Sequence, residues 1–292
     1  MLFKEIKNLI GNDVLEVFGD SGTGKSTFVS MIIVDALQSN IKDIFIIDTE
    51  RNFHPQTVFG AQIPFAYLTS QIPRFNYQYV PSFREIVDNF NNWFPKTSEY
   101  KLIVVDSIGA PILSLWSRAD LSEKGKVLQQ LFDLCYRFKV YAKSHETLVI
   151  LTNQPKSELS KVSKQQQQQK TLEELLSPLW PFGGKHKFQV KEIWKSTLVG
   201  EVTINSTPYT KCVIETFRSR IFRRGVPLFE VLISDTNVMV RQLYSFSVTK
   251  VKYQDKVEEK IIPLKLNKPY VYSLSIDISG DELKFKYERK RE

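Results

Sequence analysis

The residues with the clearest chemistry in this chain run from Gly19 to Thr27: Gly19-Asp20-Ser21-Gly22-Thr23-Gly24-Lys25-Ser26-Thr27. Gly19 to Ser26 satisfies the pattern G-x-x-x-x-G-K-[ST]. Glycines let backbone N–H groups turn inward and approach phosphate oxygens closely, and a helix that follows adds its positive N-terminal end. Lys25 is then placed to reach the β- and γ-phosphates, and the Ser26 hydroxyl to ligate Mg²⁺. The implied chemistry is binding of Mg·ATP. Two carboxylates downstream extend it. Asp106 ends the run Lys-Leu-Ile-Val-Val-Asp, where a carboxylate can hold the Mg²⁺ shell from the side opposite the loop. Glu50 closes Asp48-Thr49-Glu50 and is the candidate base that orients the attacking water. On position alone it reads equally well as a first-turn capping acid.

These residues need a scaffold that brings strand ends together. Val14–Phe18 is a short apolar run ending at the glycine loop, which predicts a buried strand. Lys25 to about Leu37 lacks Gly and Pro and predicts a helix. Further buried strands are expected at Asp43–Ile47, Tyr77–Val80, Lys101–Val105 and Thr147–Leu151, with helices over Ser82–Phe94 and about Leu121–Ala142. Strands alternating with helices imply a mostly parallel sheet covered on both faces. On one edge of such a sheet the strand ends lie side by side, so Glu50 and Asn153-Gln154 should open onto one crevice. The expected fold is therefore an α/β P-loop ATPase core over residues 1–242, with a β-rich C-terminal extension over 243–292. Residues 155–184, which include Gln165–Gln169, predict a long polar loop. Strands are expected after it at Phe188–Ile193, Glu201–Ile204, Lys211–Phe217 and Leu228–Ile233, then at Tyr270–Ile278 and Leu283–Tyr287.

Composition narrows the class. With 292 residues and 42% hydrophobic content the chain can bury one substantial core. No apolar run reaches the roughly 18 residues of a membrane span, and the first residues are interrupted by charges. Two cysteines, Cys135 and Cys212, lie far apart, and His54, His145 and His186 share no ligand spacing. A disulfide framework or zinc site is not expected, and a cytoplasmic location is. The net charge of +8 favours polyanionic partners without naming one.

Four stretches resemble the RecA/RadA recombinase superfamily, specifically the archaeal RadA paralogues of the RadB type. Leu15–Thr27 is similar to the family's strand and phosphate loop. Ile46–Pro55 resembles its Asp-Thr-Glu-x-x-Phe-x-Pro signature. Leu102–Ala110 resembles the Walker B strand with its trailing serine, and Leu151–Gln154 the strand-end Asn-Gln. Pro181–Gly184 looks like the close of the second DNA loop, and Val213–Gly225 resembles a strand in which Glu215 is followed by clustered arginines. The likeness runs from about residue 10 to about 240. It implies Glu50 as catalytic base and Gln154 as sensor of the γ-phosphate. It also implies that residues 155–184 face single-stranded DNA and that Trp116–Lys126 occupies a first DNA loop.

In that position Lys156, Lys161, Lys164, Lys170, Lys185 and Lys187 suit contact with a phosphate backbone. Charge alone fits a merely solvated loop as well. Arg218, Arg220, Arg223 and Arg224 form a second cluster, suited to DNA, to a neighbouring subunit's ATP, or to a solvated strand end. Full recombinases carry an N-terminal helical domain that links subunits. Here only about a dozen residues precede the first strand, so an accessory partner of a recombinase is expected rather than a filament. The alternatives are an ATP-binding adaptor with negligible turnover and a KaiC-like signalling ATPase without a DNA role.

Overall fold

Four short apolar runs carry the architecture: β1 (Val14–Phe18), β2 (Ile44–Asp48), β4 (Leu102–Asp106) and β5 (Leu148–Asn153) are buried at every position. In an extended chain alternate side chains leave opposite faces, and the burial follows that rule. Leu15, Val17, Ile46, Val104 and Ile150 enter one core, while Val14, Phe18, Ile47, Val105 and Val149 enter a second on the other face. Both faces are covered, as parallel sheets require. The computed structural model describes residues 1–51, 63–154, 192–253, 256–279 and 282–292.

Helices α1 (Leu2–Ile10), α2 (Lys25–Gln38) and α3 (Ile63–Gln71) supply the first core, and α4 (Phe83–Trp93), α5 (Gly109–Arg118) and α6 (Leu121–Ser144) the second. The α1 helix was not anticipated. Its charges fall between Leu2, Phe3, Ile6, Leu9 and Ile10, all buried, which is the spacing of one helical face. Gly11, at φ 75°, ends it by donating its N–H to Lys7 O at 2.7 Å. At α6, Asp120 and Glu123 form a reciprocal capping box. The segment Trp116–Lys126, expected as a loop, is thus helical except for Ala119–Asp120.

The sheet order is β11-β10-β9-β8-β7-β6-β1-β5-β4-β2-β3. The half from β6 to β3 (Asn76–Tyr79) is parallel; β6 (Glu192–Ile204), β7 (Thr207–Arg218), β8 (Pro227–Ile233), β9 (Asn237–Tyr253), β10 (Lys256–Ser279) and β11 (Glu282–Arg291) continue it antiparallel. Position 243 falls inside β9, whose Phe246 shares the first core with Leu2 and Ile6 of α1. Beyond Tyr244 and Lys265, β9 and β10 pair only with each other. At Phe246 the outer edge of this ribbon is capped by α1: Phe246 N donates to Glu5 Oε2 at 2.8 Å, and Asn8 Nδ2 donates to Phe246 O at 3.2 Å. Pro263 lies opposite Phe246, a position whose N–H the β9–β10 ladder does not need.

One carboxylate ties distant segments together. Asp35 of α2, 2% exposed, accepts from Phe3 N at 2.9 Å and from the Tyr287 hydroxyl of β11.

Candidate nucleotide site

The phosphate loop leaves β1 at the carboxyl edge of the sheet and returns as α2. Its glycines answer to different demands. A Cβ on Gly19 would lie 2.3 Å from Ser196 O of β6, so this position is closed to any side chain by backbone. Gly24, at φ 79°, is the left-handed residue that turns the loop into the helix. Side chains brace the turn: Thr23 Oγ1 donates to Asp20 O at 2.9 Å, and Ser196 Oγ donates to Thr23 O at 2.5 Å.

Around this loop a cavity of about 460 Å³ is lined by Ser21, Gly22, Gly24, Lys25, Ser26 and Thr27. Across from them stand Glu50, Asp106, Ser107, Thr152 and Gln154. The predicted residues Lys25, Ser26, Glu50, Asp106 and Gln154 therefore share one crevice. Asn153 does not join them. It is fully buried, its Nδ2 donates to Glu16 Oε1 at 3.0 Å, and its carbonyl accepts from Gly19 N at 3.3 Å. The strand-end pair thus divides its labour: Asn153 anchors the loop and Gln154 reaches the cavity.

Ser26 Oγ donates to Asp106 Oδ1 at 3.0 Å, and Thr152 Oγ1 donates to the same oxygen at 2.5 Å. Among the described residues no group of three or more His, Cys, Asp or Glu side chains could hold a metal. A hydroxyl beside one carboxylate at a phosphate loop nevertheless fits Mg²⁺, which keeps waters and takes phosphate oxygens for its remaining positions. Lys25 Nζ donates to Asp20 O at 2.7 Å. Burial pushes its pKa below the usual lysine range, while Asp106 and then Glu50 pull it back up. The surroundings thus pair the buried cation with acids.

Glu50 stands at the mouth of the cavity, open to solvent at its surface but walled by protein on its inner side. Desolvation there raises its pKa, and the Asp106 charge raises it further, against a hydrogen bond with Ser107. A carboxylate whose proton affinity is raised is a better proton acceptor than an ordinary one. The turn that carries it is pinned to β4: Thr49 N donates to Asp106 O at 2.9 Å, and Thr49 Oγ1 donates to Ser107 O at 2.7 Å. Asp48 and Asp106 are register partners on β2 and β4, which is why three acids crowd this end of the sheet.

Thr152 was not singled out from sequence, although it adjoins a residue that was, and Ser107 was noted only as the serine that trails the strand before it. The lysines 156, 161, 164, 170, 185 and 187, with the rest of the expected loop, lie outside the described residues. The arginine cluster is placed at the opposite edge of the sheet, because β7 runs antiparallel to β6. Arg220 donates to Leu9 O at 3.3 Å and Ile10 O at 2.9 Å, with its Nε 3.5 Å from Glu192. Arg224 stacks over Phe217 at 4.1 Å. Arg220 is a structural tie between α1 and β6.

No helix of the described residues is long and apolar enough to cross a membrane. No family model matches the sequence, and no curated protein matches it. In shape the chain is similar to a crystal structure of the RadB recombinase, with a TM-score of 0.43 and 20% identity over 79% of this chain and 94% of that one.

Proposed function

We propose that the chain is a Mg²⁺-dependent ATPase of the RecA type that binds single-stranded DNA and serves as an accessory protein of homologous recombination and repair. The observation that carries the nucleotide half is the convergence of Lys25, Ser26, Asp106, Glu50 and Gln154 on a single cavity around the phosphate loop. Lys25 and the loop amides hold the phosphates, Ser26 and Asp106 hold the ion, Glu50 accepts the proton of the attacking water, and Gln154 senses the terminal phosphate. Bound Mg²⁺ would neutralise charge on the phosphates. The DNA half rests on the resemblance of the motifs and on the lysines between Lys156 and Lys187, whose charges suit a strand's phosphates.

The test is steady-state Mg·ATP hydrolysis with and without single-stranded DNA, with Lys25→Ala as the blank. Stimulation by DNA that disappears in the blank is the expected result. Hydrolysis indifferent to DNA would discard the DNA half and favour the adaptor or signalling reading. The absence of hydrolysis above the blank would discard the enzyme.

A further inference from the structure

The edge strand β3 contributes nothing to the cavity lining, yet two of its four residues are tyrosines on one side. Tyr77 and Tyr79 are two positions apart, so they leave the strand in the same direction. Each reaches a residue that flanks Glu50. The Tyr77 hydroxyl donates to Asp48 Oδ2 at 3.0 Å, and the other oxygen of that carboxylate, Oδ1, accepts from the Glu50 backbone N–H at 3.1 Å. Asp48 is fully buried, so its carboxylate has little freedom apart from these bonds. On the far side of Glu50, Arg51 takes the left-handed conformation at φ 61°, and its guanidinium stacks over the Tyr79 ring at 4.6 Å. A non-glycine residue keeps that conformation only where its surroundings hold it.

We propose that Tyr77 and Tyr79 are positioning residues for Glu50, fixing from both sides the turn that presents its carboxylate to the cavity. This rests on the reading of Glu50 as the base. The two tyrosines act through different parts of the side chain. At position 77 the hydroxyl matters, because it orients Asp48, which holds the Glu50 amide. At position 79 the ring matters, because it carries the stacked guanidinium. Neither is among the residues that line the cavity, so the pair sets turnover and leaves nucleotide affinity to the loop.

That division gives a signature that a merely structural role lacks. Hydrolysis at saturating ATP and the dissociation constant of a non-hydrolysable ATP analogue are measured for Tyr77→Phe, Tyr79→Phe, Tyr79→Leu and Glu50→Gln, with a thermal melt of each. Tyr77→Phe should lower kcat by about tenfold, short of the roughly hundredfold that a 1 Å misplacement of a reacting group can cost. Its analogue affinity should stay within about twofold of wild type, as expected when only turnover is impaired. Tyr79→Phe keeps the ring and should turn over normally, whereas Tyr79→Leu should fall several-fold in kcat. The proposal is overturned if Tyr77→Phe keeps full kcat, if kcat and affinity fall together, or if the variants lose only melting temperature. If Glu50→Gln keeps full turnover, the assignment of the base fails and the proposal fails with it. A defect confined to the tyrosine arms cannot produce that outcome.

Discussion

The two halves of the sheet solve the problem of burial differently. In the parallel half β1, β2, β4 and β5 are covered on both faces, and their side chains divide between two cores. Only the strand ends remain free, and the cavity around the Gly19–Thr27 loop occupies them. In the antiparallel half one face packs into the first core through Phe229, Val231, Val240 and Tyr272. The other face carries a chain of ion pairs: Lys211 to Glu230 at 2.5 Å, Glu230 to Arg241 at 2.7 Å, and Arg241 to Glu292 at 2.5 Å. A doubly covered sheet confines polar chemistry to its rim, whereas a singly covered one offers a whole face to water. The chain joins both designs at β6, whose Ser196 touches the phosphate loop.

The comparison is sharpest under truncation. Ile150→Ala, in the doubly covered half, leaves a hole that neither core can close, and should destabilise the fold by about 2–5 kcal/mol in urea unfolding. A cost below 1 kcal/mol would mean that the helices are looser over the sheet than its burial implies. At the junction, Gly19→Ala drives a Cβ to 2.3 Å from Ser196 O, so the loop or β6 must move. Analogue affinity should fall by more than about tenfold, the equivalent of 1.4 kcal/mol. Gly22→Ala, with no atom within 4 Å of its Cβ but φ at 73°, should fall less. On the singly covered face Arg241→Met should cost at most about 1 kcal/mol, since its partners are partly solvated and Glu230 keeps Lys211. The smallest effect is on pH dependence. With its folded-state pKa raised, Glu50 is protonated at a pH where an ordinary carboxylate is still charged. Activity should therefore fall on the acid side at a higher pH than a free glutamate would dictate. Stability linked to this group moves the other way, being present at low pH and lost as pH rises through the raised pKa. A pH–rate profile compared with the melting profile of Glu50→Gln checks both signs.

That Lys25, Ser26, Glu50, Asp106 and Gln154 line one cavity was legible in sequence because glycines, Lys25 and the strand-end acids stand in contiguous stretches. The strands of the parallel half were legible for a similar reason: the run Val14–Phe18 matches β1 to the residue, and the strands expected at Asp43–Ile47, Lys101–Val105 and Thr147–Leu151 lie within two residues of β2, β4 and β5. The antiparallel half was less legible. Gly200, at φ 143°, adjoins a register shift within β6, and from sequence that interruption divides one strand into two. Pro263 suggests a break in β10, but it occupies an edge position that needs no N–H. The α1 helix carried its pattern openly and was obscured by its lysines, of which Lys4 is exposed and Lys7 is half-buried, donating to Glu146 O. The Tyr77–Asp48 and Asn153–Glu16 bonds join residues 29 and 137 positions apart, and no local pattern announces such partners.

The Asp35 carboxylate sets an order in time. The helix that begins with Lys25 and Ser26 finds its last partner, Tyr287, 252 residues later in the chain. As the polypeptide emerges during synthesis, the loop, its strand and Phe3, the partner of Asp35 Oδ2, are made early, but Asp35 Oδ1 waits for β11 before it gains the Tyr287 hydroxyl. The far end of that helix should accordingly settle late, near the completion of β11, and not when the Gly19–Thr27 loop itself first leaves the ribosome.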